Sequence, residues 1–307
     1  MHTINPQPTM FSSQDRILSA LVHLTALSFG NLSFLPVILW SENRRHSATL
    51  RFQILQALGY QVLGYTLWAI GLLFLVLLSF LGLLTLSGLV PNLAQNESLS
   101  VAFSMFTVVL LLGAMGLFLL PPLLGVLLCG MGKDFRYPLL GNRLARALGY
   151  DPNAPQATLD AEFEERFVAA MGHFGVIFPL WGIFAPAWLW INHTSHSSWL
   201  KFQSAQTTLY QIVVNVMYFG LSFGALLAGV AVALLFTITS GVNEWSVVVG
   251  ILFAAFLMSC SLLILPIFHI LGQWAGLQIL LGRDFKYPLL GHWLAKRTAT
   301  GQSTDAG

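Results

Sequence analysis

Residues 51–88 read RFQILQALGYQVLGYTLWAIGLLFLVLLSFLGLLTLSG, and after Arg51 none of them is charged. Drawn out as a helix at 1.5 Å per residue, the run is about 57 Å long. The hydrocarbon core of a bilayer is only about 30 Å thick. The run shows no apolar/polar alternation of a strand, and in lipid a backbone must satisfy its own hydrogen bonds, so it is read as helix. Its amides gather at the front: Gln53, Gln56 and Gln61, with Tyr60 among them, all precede the more apolar part. Those first turns are expected in the interface or the protein interior, before lipid is reached.

The same front end recurs. RFQILQALGYQVLGY at 51–65 is echoed by KFQSAQTTLYQIVVN at 201–215, pairing Arg51 with Lys201, Gln53 with Gln203, Gln56 with Gln206, Tyr60 with Tyr210 and Gln61 with Gln211. The 150-residue offset also aligns GKDFRYPLLGNRLA at 132–145 with GRDFKYPLLGHWLA at 282–295. Ahead of both, Arg16, His23, Pro36 and Trp40 align with Arg166, His173, Pro186 and Trp190. Three separated matches in one register point to a duplication: chance similarity among Leu and Phe would not also align Gln, Tyr, Pro and the cations. The expected organisation is a first helical membrane repeat over 12–148, a polar connector over 149–161, a second repeat over 162–299 and a flexible tail over 300–307. From Leu159 onward an acidic amphipathic helical lead-in is expected.

Each repeat holds three apolar segments, at 17–40, 51–88 and 101–129, then 167–191, 202–239 and 246–280. The fold class expected is an all-α polytopic membrane protein, a duplicated bundle with six main apolar segments. Composition agrees, because 56% of the 307 residues are hydrophobic and 8% charged, against about 25% charged in ordinary soluble domains. Fourteen cations against twelve carboxylates leave a formal charge of +2, too little for a nucleic-acid surface. The N-terminal residues lack a basic stretch followed by a small-residue cleavage site, so a cleaved signal peptide is not expected. Cys129 and Cys260 have no Cys or His at ligand spacing and are read as small buried hydrophobes.

The cations discriminate between two topologies. With six full crossings they divide eight to six between the two sides. If segment one of each repeat enters and returns on the same side, all 14 share one face and the opposite loops carry only Glu97 and Glu244. The positive-inside rule prefers this second arrangement. Gly30, Asn31 and Pro36 in one copy, and Pro179, Gly182 and Pro186 in the other, are residues able to turn the chain. Against it stands length, because about 25 residues make one comfortable crossing or only a shallow hairpin.

Three groups of residues could carry function. Gln53, Gln56 and Tyr60 fall at i, i+3 and i+7 on one helical face, and Gln203, Gln206 and Tyr210 repeat them. Amides are costly against hydrocarbon, so these faces are expected in a polar interior, as interhelical ties or as the lining of a passage or groove. His23 and His173 are equivalent and could ligate a haem or share a metal, although packing histidines bonded to a carbonyl or glutamine would look the same; no cofactor is expected. Lys133, Arg136, Arg283 and Lys286 suit lipid phosphates, with Tyr137 and Tyr287 anchoring at the interface. No metalloprotease, nucleotide-loop or serine-elbow motif occurs, so an enzyme is the less expected class.

The residues Arg16, His23 and Pro36, the stretch LRFQILQALGYQV and the closing GKDFRYPLLG, with their counterparts 150 residues on, resemble a bacterial membrane family of unknown function related to the plastid inner-envelope protein-import component. The resemblance covers most of both repeats and implies a helical membrane module. The plastid relatives are four-helix proteins associated with moving precursor proteins through a membrane.

Two functions follow from these readings, the first of them leading. One is a bundle of the plasma membrane that binds or passes a polar solute or peptide. The other is a structural or assembly factor, with membrane lipids and a membrane-protein or peptide client as partners. A bis-His cofactor protein is a third. Duplication also allows one chain to form by itself the pseudo-two-fold pair that a single-copy relative would make as a dimer.

Overall fold

A computed structural model describes residues 12–89, 97–154, 158–192, 197–241 and 244–304. The chain forms two compact units, Met1–Met171 and Gly172–Gly307. Among the described residues all regular structure is helical.

In the first unit segment one is broken in two: α1 (Ser13–Thr25) and α2 (Phe34–Glu42) are joined by a 3-10 turn at Ala26–Ser28. Ser12 caps α1 by accepting from the Asp15 amide at 3.0 Å. The break comes at Phe29 and Gly30, whose φ angles of 54° and 84° lie in the left-handed region no helix tolerates. The ends of the segment then meet, because the Ser47 hydroxyl just beyond α2 donates to the Asp15 carboxylate at the start of α1, at 3.1 Å. A chain that had crossed a bilayer once could not make that bond.

Helix α3 (Ala48–Gly59), capped by Ser47 accepting from the Leu50 amide at 3.2 Å, runs through a π turn at Tyr60–Gly64 into α4 (Tyr65–Leu89). Helix α5 (Glu97–Gly130) carries Pro121 and Pro122 in its interior. The short helix α6 (Leu140–Leu148) buries Leu144 and Leu148 and ends at Gly149, whose φ of 67° allows the Tyr150 amide to bond the Ala145 carbonyl at 2.8 Å. Helix α7 (Ala161–Phe174) supplies the acidic lead-in expected from Leu159 onward, and the unit boundary falls inside it.

The second unit continues with a turn at 175–183, α8 (Phe184–Ile191), α9 (Ser198–Ser240), α10 (Glu244–Leu280) and α11 (Leu290–Thr304). In the turn, Gly182 lies against Gly175 so closely that a Cβ would stand 2.1 Å from the Gly175 carbonyl oxygen. The turn tip reaches α9, where the Leu180 amide donates to Asn215 Oδ1 at 2.9 Å. Helix α11 extends to Thr304, into the stretch expected to be a flexible tail; residues 305–307 lie outside the described ones, as do 155–157 of the connector.

Among the described residues three helical stretches are long and apolar enough to cross a membrane: Ala48–Thr85, Val101–Gly130 and Ser198–Thr239. The six apolar segments are therefore not six equivalent spans, since residues 17–40 are divided between the short helices α1 and α2, and residues 167–191 between α7 and α8. Large side chains on the long helices, among them Phe74, Phe106, Val109, Leu227 and Leu234, point outward, while the tightly packed interior of the first unit sits around α1, α3 and the loop after α5. Outward apolar surface on this scale suits lipid.

The two helix pairs differ. A Cβ on Gly229 of α9 would lie 2.4 Å from Ala254, and one on Gly250 of α10 would lie 2.4 Å from Ala233, so these backbones touch. Between α4 and α5 there is instead a groove of about 480 Å³ lined by Trp68, Leu72, Leu75, Ala114, Leu117 and Phe118. No neighbouring atom stands within 4 Å of a Cβ added to Gly71 or Gly113. Gly229→Leu is expected to cost about 1–3 kcal/mol by overpacking. Gly113→Ala should gain roughly 0.5 kcal/mol by stiffening the helix. Thermal unfolding in detergent measures both.

Candidate functional site

The buried polar centre of the first unit is built on α3. Gln53 and Gln56, one helical turn apart, are wholly buried and lie across the non-helical stretch 133–137 that follows α5. Gln56 Nε2 donates to the Phe135 carbonyl at 2.6 Å and to Gln53 Oε1, and Gln56 Oε1 accepts from the Tyr137 amide at 3.3 Å. Gln53 Nε2 donates to the Phe135 carbonyl at 3.2 Å and to Asp134 Oδ1 at 2.8 Å. The two side-chain amides thus satisfy the backbone groups of a loop that has no helical partners of its own.

His23 of α1 closes the arrangement. Its Nε2 lies 3.0 Å from Gln53 Oε1 and its Nδ1 2.9 Å from the Tyr137 hydroxyl. An amide oxygen only accepts, so the proton sits on Nε2, and Nδ1 accepts from Tyr137. Burial holds the imidazole neutral, pulling its pKa down to about 4, against a smaller upward effect of the Gln53 bond. Tyr137 stacks on Tyr60 with centroids 4.1 Å apart, and the Tyr60 hydroxyl donates to the Phe118 carbonyl at 2.6 Å. Phe118 lies in the turn of α5 just ahead of Pro121 and Pro122, whose missing N–H groups free nearby carbonyls. Gly125 admits the ring, since a Cβ there would stand 2.8 Å from His23 Cγ. Asp134 is pushed up by burial and held down in part by Arg136, whose Nε is 3.2 Å away.

The second unit makes most of these bonds 150 residues on, although Asp284 Oδ1 accepts from Trp199 Nε1 at 2.8 Å where Asp134 accepts from Gln53. His173 Nδ1 meets the Tyr287 hydroxyl at 2.9 Å and Nε2 meets Gln203 Oε1 at 3.3 Å. Gln206 donates to the Phe285 carbonyl at 2.8 Å and accepts from the Tyr287 amide at 3.2 Å. Tyr210 stacks on Tyr287 at 3.8 Å and donates to the Phe268 carbonyl at 2.6 Å. Burial draws His173 down to about 3. Two positions in this register differ between the units. Thr207 stands in place of Ala57 and puts its hydroxyl 3.0 Å from His173 Nε2. Ala275 stands in place of Gly125, and the His173–Phe285 ring separation widens to 6.5 Å from 5.3 Å in the first unit.

Each imidazole therefore has both nitrogens engaged inside its own unit, and neither is open to haem iron. Among the described residues no group of three His, Cys, Asp or Glu side chains is arranged to hold a metal. Cys129 is buried with its Sγ 3.5 Å from Gln53 Oε1. Of the residues expected at the interface, Lys133, Arg283 and Lys286 are exposed and Arg136 is half-buried beneath its contacts with Asp134, Phe52 and Tyr150. Tyr137 and Tyr287 are inside, each 1% exposed, because their hydroxyls belong to the histidines.

Sequence reasoning did not anticipate Glu164. It is completely buried, ion-paired with Arg51 and accepting from Trp40 Nε1 at 2.9 Å, while its neighbour Glu165 pairs with Arg44 at 2.6 Å. The available signal was the coincidence of Arg44, Arg51 and Trp40 in the first apolar region with the adjacent Glu164 and Glu165 just after the connector.

Residues 14–144 match the model of the magnetosome magnetite crystal formation protein family. The match covers less than half of the chain and lies within the first unit. It corrects the resemblance to the plastid-import-related family: the similarity lies with the crystal-formation family, with no link to import machinery. No curated protein and no solved structure matches. The chain is a bacterial integral membrane protein with several apolar helices, of the plasma-membrane kind.

Tyr137→Phe leaves His23 Nδ1 buried without a donor and is expected to lower stability by about 1–3 kcal/mol. His23→Ala adds a cavity and two stranded partners and should cost more, about 2–5 kcal/mol. Chemical denaturation in mild detergent reads both. The histidines also set a pH dependence. Their folded pKa values lie below the unfolded value near 6.5, so the unfolded chain binds more protons and stability falls as pH drops from about 6.5 toward 4. The raised Asp134 acts in the opposite direction through the carboxylate range. Replacing both histidines with Gln should flatten the slope above pH 5, measured as thermal midpoint against pH.

Proposed function

We propose that the chain is a structural or assembly factor of a bacterial membrane, made of two copies of one helical module, each closed by the same histidine–tyrosine–glutamine lock. The observation that carries this reading is the fate of the polar side chains. Gln53, Gln56, Gln203 and Gln206 are buried and bonded to loop backbone and to one another. Amides consumed in this way have little left to offer a passing solute, which weighs against a conducting bundle. The family description of residues 14–144, crystal formation, also favours a protein that organises a membrane-bound structure over a carrier. The reading assigns no catalytic step.

The module's topology is a hairpin entering and leaving on the positive side, followed by a long helix pair. The Asp15–Ser47 bond and the gathering of cations support it. Single cysteines at positions 44 and 151 should then react with an impermeant maleimide from the same side of sealed vesicles, and one at position 98 from the other. Labelling of 44 and 151 from opposite sides would refute the hairpin.

Reconstituted liposomes test the function. Small-solute and peptide efflux should equal that of protein-free vesicles, and photo-crosslinkers at Leu73 or Phe106 should capture membrane proteins in native membranes. Efflux that rises with protein content and falls in Gln53→Ala would overturn the assembly reading.

A further inference from the structure

The first unit displays a docking interaction that the second unit offers without an occupant among the described residues. In unit one the start of α7 is seated through Glu164 on Arg51 and Trp40, through Glu165 on Arg44, and through Phe167, whose ring occupies the space above Gly59. In that unit Trp40, which donates to Glu164, is 0% exposed, and Ser41 and Val62 are 5% and 2% exposed. Their counterparts 150 residues on are Trp190, Ile191 and Ile212, which are 40%, 68% and 41% exposed. Lys201 stands where Arg51 stands, and among the described residues it forms no ion pair. One cation, one indole N–H donor and an apolar rim thus recur with the carboxylate missing.

We infer that the face of the second unit formed by Trp190, Ile191, Lys201 and Ile212 docks an acidic amphipathic helix of a partner protein, a helix with a glutamate followed three residues later by a small side chain. The inference rests on the two-module reading given above. Charge complementarity supplies the glutamate, since Lys201 and the Trp190 N–H correspond to the groups that hold Glu164 in the first unit. Size supplies the small residue. Gly59 leaves room for a phenyl ring, but its counterpart Leu209 brings an isobutyl group of its own to that position, so the partner presents Ala or Ser where α7 presents Phe167. The chain's own α7 cannot serve, because Glu164 is fully buried in the first unit.

The probe is a fluorescein-labelled peptide of residues 158–172 with Phe167→Ala, titrated against the full chain in nanodiscs of neutral lipid and followed by anisotropy. Saturable binding is expected, weakened at least tenfold by Lys201→Glu and by Trp190→Ala. A peptide that also carries Glu164→Lys should fail on the unaltered chain and bind the Lys201→Glu variant, a charge exchange that a merely unfolded variant could not reproduce. The unsubstituted Phe167 peptide should bind more weakly than the Ala peptide, and Leu209→Gly should reverse that order. Absence of saturable binding, binding indifferent to Lys201→Glu, or equal binding to protein-free nanodiscs overturns the proposal. None of these outcomes bears on the efflux measurement, so the assembly reading stands or falls separately.

Discussion

A backbone loop in a place that water does not reach must find hydrogen-bond partners, and residues 133–137 find theirs in the side chains of α3. This constraint organises the first unit. Without helix or strand partners, the Phe135 carbonyl and the Tyr137 amide are satisfied by Gln53 and Gln56. The same glutamines then orient His23, and His23 orients Tyr137. Each group in the chain of bonds is a donor where its neighbour can only accept. Loss of any one strands others in a low dielectric, where an unpaired polar atom is most costly.

Within each unit, the lock also explains why the interior is polar at the start of the long helix and the surface is apolar further along it. The glutamines sit on the first turns of long helices whose later turns carry few polar side chains, most of them hydroxyls bonded back to their own helix. Placed in lipid, those amides would cost more than the helix could recover; folded against the loop after α5, they tie the hairpin, the long helix and the loop into one body. The π turn at Tyr60–Gly64 lies where this polar collar ends and the apolar shaft begins. The second unit keeps the collar but uses a different shaft, with α9 and α10 in backbone contact at Gly229 and Gly250, where Ser79 and Ser100 are the first unit's counterparts.

Much of this is written in residue order. The all-helical membrane character follows from uncharged runs longer than a bilayer is thick. The 150-residue register follows from matches among Gln, Tyr, His and Pro, and the same hydrogen bonds recur at that register. The burial of Gln53 and Gln56 was legible because an amide on an apolar helix has nowhere cheap to face. Tyr137 was not: beside Lys133 and Arg136 it reads as an interface anchor, and only the placement of His23 across the unit draws its hydroxyl inward. Glu164 was also hidden, because a glutamate among four acidic residues reads as solvated until a tryptophan and an arginine more than a hundred residues earlier close over it.

By itself, then, the sequence determined the solvent of this protein and the periodicity of its parts, since both depend on which residue types follow one another along the chain. The tertiary structure decided which polar groups are spent on each other and which remain to meet something else. That division depends on distances between residues far apart in the chain: Asp15 on Ser47, His23 on Tyr137, Glu164 on Arg51. Periodicity is a local property of a chain, whereas pairing is decided only when the chain has folded and each donor has met its acceptor.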